Sequence, residues 1–186
     1  MPRIFVAADI YRKNEIQRIQ QDLISYLNLE HKYLKPVRPE NFHFTLVFFG
    51  EVTNPIVDKI VAKISEIDFQ SFEINYSEIG AFPNNNNAKV VWIGLDKTTK
   101  RAFNQMSENV TSKLKELDVK LEKEIEKEII PHITLFRTKN VSLKLNLNDT
   151  ITDFIISDRI DTISVKKSMT TPQGAIYENI ISVRGK

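Results

Sequence analysis

Two histidines and two threonines are the residues of this chain best suited to chemistry. They stand in "HFTL" at 43–46 and in "HITL" at 132–135. Residues two apart in a strand point to the same face, so His43 and Thr45 share one side while Phe44 and Leu46 share the other. The same parity joins His132 to Thr134 and sets Ile133 and Leu135 opposite them. Each run therefore gives an apolar side to a core and an imidazole–hydroxyl pair to whatever lies across from it. With an unperturbed pKa of ~6.5, one imidazole can accept a proton at neutral pH while a partner donates one. Hydroxyls beside them can hydrogen-bond the non-bridging oxygens of a phosphate as charge grows there. The reaction that suits this set is in-line attack on phosphorus. One histidine deprotonates the nucleophile and the other protonates the departing oxygen, with no metal ion required.

A lone strand histidine is more often a packed, hydrogen-bonded residue than a catalyst, and a strand threonine is ordinary. Packing does not ask for histidine twice in one frame, however, and two of the chain's 3 histidines stand in it. The third, His31 in "NLEHKYL", reads as a surface residue near a helix C-terminus. Neither H-x-H nor H-E-x-x-H spacing occurs, and two histidines with two threonines make a poor ligand set, so neither a metal nor another cofactor is expected.

The elements that must position these groups are legible in outline. "RIFVAADI" (3–10) reads as a strand, and 12–29 as a helix with Ile16, Ile19, Leu23, Ile24 and Leu27 on one face. "HFTLVFFG" follows a proline-rich loop. Asn54-Pro55 then reads as the N-cap and first residue of a second helix. "SFEINYSEI" alternates as a strand, "AFPNNNN" reads as a surface loop, and "AKVVWIGL" as a buried strand. A third helix carries Phe103, Met106, Val110, Leu114 and Leu117 as its core stripe. "EKEIEKE" (122–128) reads as a solvated connection, and "ITDFIIS" is ambiguous between helix and strand. The tail from Arg159 reads as a hairpin turning at "TPQGA". The motif histidines are 132 − 43 = 89 positions apart in 186 residues, which suggests two similar lobes related by a pseudo-two-fold. The expected fold is α+β and bilobal, with antiparallel sheets, outer helices and a cleft between the sheets. A single domain is expected to span 1–186.

Composition narrows the function. With no cysteine, disulfides, thiolate nucleophiles and iron–sulfur clusters are excluded. Lys+Arg 26 against Asp+Glu 24 is too balanced for a general nucleic-acid coat, though a local basic cleft needs no net charge. No apolar run is long enough for a membrane span and no signal-peptide pattern opens the chain, so a cytoplasmic protein is expected.

The motifs and their surroundings resemble a known family. "VRPENFHFTLVFFGEV" and "IIPHITLFRTK" look like the two active-site runs of the two-histidine (2H) phosphoesterase superfamily. Within it the chain is similar to the RNA 2′,3′-cyclic phosphodiesterases, also called 2′-5′ RNA ligases. "RIFVAADI", "IGAFPNNNNAKVVWIGL" and "SVKKSMTTPQGAIYENI" extend the likeness nearly end to end. The resemblance implies hydrolysis of a terminal 2′,3′-cyclic phosphate on RNA to a 2′-phosphate. It implies His43 as proton donor to the leaving 3′ oxygen, His132 as the base, and Thr45 and Thr134 as phosphate holders. The residues alone leave the two histidines interchangeable.

Arg137 and Arg38 are further candidates for phosphate contact. Arg137 has the wrong parity to join His132 unless the strand ends or bulges near Phe136. Among aromatics on apolar strands, Phe82 is the best candidate to stack a base, with Phe48, Trp92 and Tyr177 read as core. Lys166 and Lys167 read as a solvated pair. The expected partners are RNA ends or oligonucleotides bearing the cyclic phosphate, met by a monomer with no membrane and no obligatory protein partner. Ligation, turnover of small cyclic nucleotides and non-catalytic RNA binding are the alternatives.

Overall fold

The computed structural model describes residues 1–28, 30–117, 130–139, 141–145, 154–172 and 174–186. Its elements in chain order are β1 (Arg3–Ala8), α1 (Lys13–Leu27), β2 (Leu34–Pro36), β3 (Phe44–Glu51), α2 (Asn54–Ser65) and β4 (Phe72–Phe82). Then come β5 (Val90–Leu95), α3 (Lys97–Lys115), β6 (His132–Thr138), β7 (Ile156–Ile160), β8 (Thr162–Thr171) and β9 (Gly174–Arg184).

The strands form two antiparallel sheets. Sheet A has the order β3-β1-β8-β9, and sheet B the order β2-β6-β5-β4-β7. The chain passes between the sheets more than once, and one histidine motif falls in each: His43 immediately precedes β3, and His132 opens β6. The α+β architecture with two antiparallel sheets is as expected.

Burial follows the strand period. Phe44 and Leu46 are 0% and 5% exposed, and Ile133 and Leu135 are 1% and 0% exposed. Thr45 is exposed, while His43, His132 and Thr134 are half-buried. The apolar sides of both sheets enter one continuous core. Phe44 joins them: its ring stacks on Tyr76 of sheet B at 6.0 Å and meets Phe103 of α3 at 4.8 Å. The residue beside His43 thus fixes the start of β3 in both halves of the core.

Each helix has its own local reasons. In α1, Ile16, Ile19 and Leu23 are buried at helical spacing together with Gln20. The Gln20 amide donates to the carbonyls of Val37 and Leu135 at 2.8 and 2.6 Å, tying α1 to the loop after β2 and to β6. Asn28 ends the helix in the left-handed region at φ 47. Arg12, at the N-cap, makes no side-chain cap. Asp158 of β7 substitutes for it, accepting from the backbone N–H of Tyr11 and of Arg12 at 3.1 and 3.0 Å. In α3, Asp96 caps the helix by accepting from Thr99 N–H at 2.7 Å, and Lys113 and Lys115 complement the dipole in the last turn.

The structure corrects three details and resolves a fourth. Helix α2 is capped by Thr53 rather than Asn54, without a side-chain hydrogen bond, so Pro55 stands one residue further in. Phe82 closes β4 instead of lying in a loop, because its partner Val90 continues the ladder. Arg159 and Ile160 end β7 in sheet B, so the final hairpin starts after Asp161, with β8 paired to β9. "ITDFIIS" contributes Ile156 and Ser157 to β7. The expected connection at 122–128 lies outside the described residues, as does Gln173 of the turn.

Candidate active site

Both histidines are held in the same way. His43 Nδ1 lies 2.7 Å from the Asn41 carbonyl, and His132 Nδ1 lies 2.8 Å from the Ile130 carbonyl. A carbonyl only accepts, so each Nδ1 carries the proton and each Nε2 is the nitrogen suited to proton exchange. The acceptor stands two residues before the ring in both cases. At His43, Nε2 is 3.1 Å from Thr45 Oγ1, whose hydroxyl donates to the neutral ring.

Two aromatic side chains flank each imidazole. Tyr177 is edge-on to His43 at 5.3 Å and Phe5 lies tilted at 5.0 Å. Phe82 is edge-on to His132 at 4.9 Å and Trp92 lies tilted at 6.0 Å. Phe5 arrives from β1, Tyr177 from β9, and Phe82 and Trp92 from β4 and β5. The Trp92 indole can lie flat because its neighbours are glycines. A Cβ on Gly80 would sit 2.2 Å from the ring, and one on Gly94 would sit 2.8 Å from it.

Burial pushes the His43 pKa down to about 4. The Asn41 carbonyl opposes that shift, as does Asp9, while Lys166 and Lys13 reinforce it. Asp9, Lys13 and Lys166 join His43 in lining a polar pocket of about 360 Å³ that also includes Glu40, Tyr177 and Asn179. Lys166 is 9% exposed. Its ammonium is 2.8 Å from Asp9 and 2.7 Å from the Asn179 side-chain oxygen. Asp9 also accepts from Ser164, which contacts Ser182. The free enzyme therefore holds His43 as a neutral ring at pH 7, beside an ion pair of buried Lys166 and half-buried Asp9.

Sheet B turns its polar face by means of a bulge. On β5, Gly94, Trp92 and Val90 alternate on one face and pair with His132, Thr134 and Arg137 of β6. The register shift between Val91 and Trp92 gives β6 an extra residue, and Leu135 and Phe136 are both fully buried. The bulge reverses the parity, so Arg137 shares a face with Thr134 and His132. Arg137 also acts on sheet A. Burial raises the Tyr177 pKa, and Arg137 and Arg3 both pull it back down. Tyr177 thus lies within electrostatic reach of cations on both sheets.

A model described as LigT like Phosphoesterase matches residues 12–92, which include the first motif. The RNA 2′,3′-cyclic phosphodiesterase of Methanocaldococcus jannaschii is 34% identical, over 96% of this chain and 98% of that protein. That of Archaeoglobus fulgidus is 30% identical, over 96% and 97%. The chain belongs to the LigT-like phosphoesterase family. Solved structures agree in fold: E. coli LigT complexed with 3′-AMP superposes with a TM-score of 0.77 at 20% identity, covering 99% of this chain and 98% of that one. A Thermus thermophilus structure gives 0.77 at 20% identity, covering 98% and 97%.

The remaining candidates of this LigT-like chain sort by position. Arg38 donates to the Ala175 carbonyl at 3.2 Å and pairs with Glu40 at 3.4 Å. With Asn41, which donates to the same carbonyl at 2.8 Å, it staples the loop before His43 to β9. Phe48 lies 6.4 Å from Phe5 and has Arg3 over its ring. Lys166 is not solvated as expected, because strand alternation turns it into the pocket wall and Lys167 away from it. His31 stands in a single turn, His31–Tyr33. Among the described residues no three His, Cys, Asp or Glu side chains gather as a metal site needs, and no helix is long and apolar enough to cross a membrane. Sequence reasoning missed Phe5, Asp9, Lys13 and Asn179 around His43. They arrive from β1 and the turn after it, from α1 and from β9, and no local pattern marks them.

Proposed function

We propose that the chain hydrolyses terminal 2′,3′-cyclic phosphates on RNA, leaving a 2′-phosphate, by paired-histidine acid–base catalysis. One observation carries the reading. Each sheet offers a His-x-Thr pair at the start of a strand, and each ring has its Nδ1 proton committed to a carbonyl two residues back. The two Nε2 atoms are then the ones that move protons. The relatives of similar length named RNA 2′,3′-cyclic phosphodiesterase support the substrate.

In this mechanism water attacks phosphorus as His132 Nε2 takes its proton, the P–O3′ bond breaks, and His43 Nε2 gives a proton to O3′. Thr45 and Thr134 donate to the non-bridging oxygens, with Arg137 on the same face adding positive field. Phe82 offers a stacking surface beside His132, and Arg38 acts through the loop it staples. His43 is neutral in the free enzyme, so the anionic substrate has to raise its pKa as it binds. The protein works as a monomer and needs no protein partner.

The test uses a short RNA with a 2′,3′-cyclic phosphate end, in EDTA, followed by end-group analysis. The expected product is the 2′-phosphate; unchanged RNA would sink the reading, and a 3′-phosphate would reverse the oxygen that His43 serves. His43→Ala and His132→Ala are each expected to slow turnover at least ~100-fold. A substrate with sulfur at the 3′ position separates the roles, because a thiolate leaves without a proton. On that substrate His43→Ala recovers most of its rate and His132→Ala does not. The opposite pattern exchanges acid and base.

A further inference from the structure

His43 and His132 are held alike at the ring but not behind it. The carbonyl that accepts from His132 Nδ1 belongs to Ile130, whose exposed side chain has no hydrogen-bonding group. The carbonyl that accepts from His43 Nδ1 belongs to Asn41, whose side chain is itself tied down. The Asn41 amide donates to the Ala175 carbonyl at 2.8 Å. Only the NH2 end of an amide can donate to a carbonyl, so the bond also fixes which way the side chain faces.

This tie crosses the whole of sheet A. Strands β3 and β9 are its two outer strands. Asn41 lies in the turn that enters β3, and Ala175 is the second residue of β9, 134 positions away in the chain. The bond therefore links the two edges of the sheet beside His43. Its acceptor sits on a tight turn. Gly174 has φ 122, a backbone that other residues rarely adopt, and its carbonyl accepts from the Thr171 hydroxyl at 2.7 Å. Two residues past Ala175, Tyr177 stands edge-on to the His43 ring. On the other side of the bond, Asn41 N–H donates to the Arg38 carbonyl and Phe42 N–H to that of Pro39, at 2.9 and 3.1 Å. Phe42 is 1% exposed.

An imidazole held at Nδ1 by one carbonyl moves wherever that carbonyl moves, and its Nε2 moves with it. Proton transfer needs Nε2 within hydrogen-bond reach of the reacting oxygen. Anchoring the acceptor therefore aims the ring.

We propose that Asn41 is a positioning residue for His43, its side chain anchoring on β9 the carbonyl that sets the tautomer and aim of the ring. The inference rests on the phosphodiesterase reading and adds how one histidine of the pair is held in place. It gives the two histidines different supports although their motifs match.

Two variants test it. Asn41→Ala removes the donor, and Asn41→Asp keeps the size while its carboxylate cannot donate to a carbonyl. Each is compared with the parent protein on an RNA end bearing a 2′,3′-cyclic phosphate and on the 3′-sulfur analogue. On the oxygen substrate kcat is expected to fall roughly tenfold with little change in KM, as for a misaimed catalytic group. On the sulfur analogue most of that loss disappears, as in His43→Ala, because the leaving group needs no proton. Equal slowing on both substrates is general damage and overturns the proposal, as does a full rate on the oxygen substrate in either variant. If Asn41→Ala does not fold, the near-isosteric Asn41→Asp decides. Nitrogen NMR of the imidazoles near neutral pH gives a readout without turnover. The variants are expected to shift His43 toward the tautomer protonated on Nε2 while His132 stays as it is; an unmoved His43 ends the proposal. If the parent hydrolyses neither substrate, or the sulfur analogue makes His132 the acid, the proposed chemistry fails instead. The NMR measurement then decides the positioning role alone.

Discussion

His43 is a buried-edge imidazole whose ordinary pKa of 6.5 falls to about 4, with burial as the first cause. The sign of the consequence follows from proton counting. Between pH 4 and 6.5 the unfolded ring binds a proton that the native ring lacks, so stability rises with pH across that window and is lost as pH falls through it. His43→Gln removes this contribution, so the drop in urea midpoint from about pH 7 to about pH 4.5 is smaller than in the parent protein. An equal drop in both proteins would show that the ring titrates normally. The neighbouring ion pair supplies a second prediction. Lys166 lowers the His43 pKa and Asp9 raises it. Lys166→Met should therefore move the His43 ring titration to higher pH and Asp9→Asn to lower pH, read from the imidazole proton shifts. Movement in the same direction in both variants would contradict the assignment.

At the scale of elements, a single carboxylate of β7 organises the entry to α1. Asp158 is 5% exposed and accepts from Tyr11 N–H, Arg12 N–H and, at 3.0 Å, the fully buried Tyr76 hydroxyl. Burial and the Asp158 charge raise the Tyr76 pKa well above its usual range, so the phenol stays a donor. Asp158→Ala strands these donors and is expected to cost about 2–4 kcal/mol, measured by urea unfolding. A loss below about 0.5 kcal/mol would mean that water replaces the carboxylate. Trp92 belongs to the same scale. Gly80→Ala puts a methyl group where the indole ring now lies. The expected result is a changed emission of the chain's one tryptophan and a stability loss of about 1–3 kcal/mol.

For the whole molecule, the decisive feature is that both sheets share one core, with Phe44 of sheet A against Tyr76 of sheet B. Unfolding is therefore expected as one cooperative transition. Trp92 reports on sheet B alone, whereas far-ultraviolet dichroism reports on both sheets. The two denaturation curves should coincide; separate midpoints would show two independently folding lobes.

The sequence by itself determined whatever depends on near neighbours. The alternation around Phe44 and Leu46, and around Ile133 and Leu135, sets which side of each strand is core, so the His-x-Thr pairs were legible as a polar face. The helical stripes and the final hairpin were legible for the same reason. Tertiary structure decided what depends on distant partners. The β-bulge at Leu135–Phe136 turns Arg137 toward the histidine face, and only pairing with β5 creates it. Lys166 became a buried charge because Asp9, just past β1, and Asn179 of β9 arrive to hold it. Its strand neighbours carry no sign of either. A periodic pattern records the face a residue takes within its own element, but the field and the partners it meets there come from elements far away in the chain.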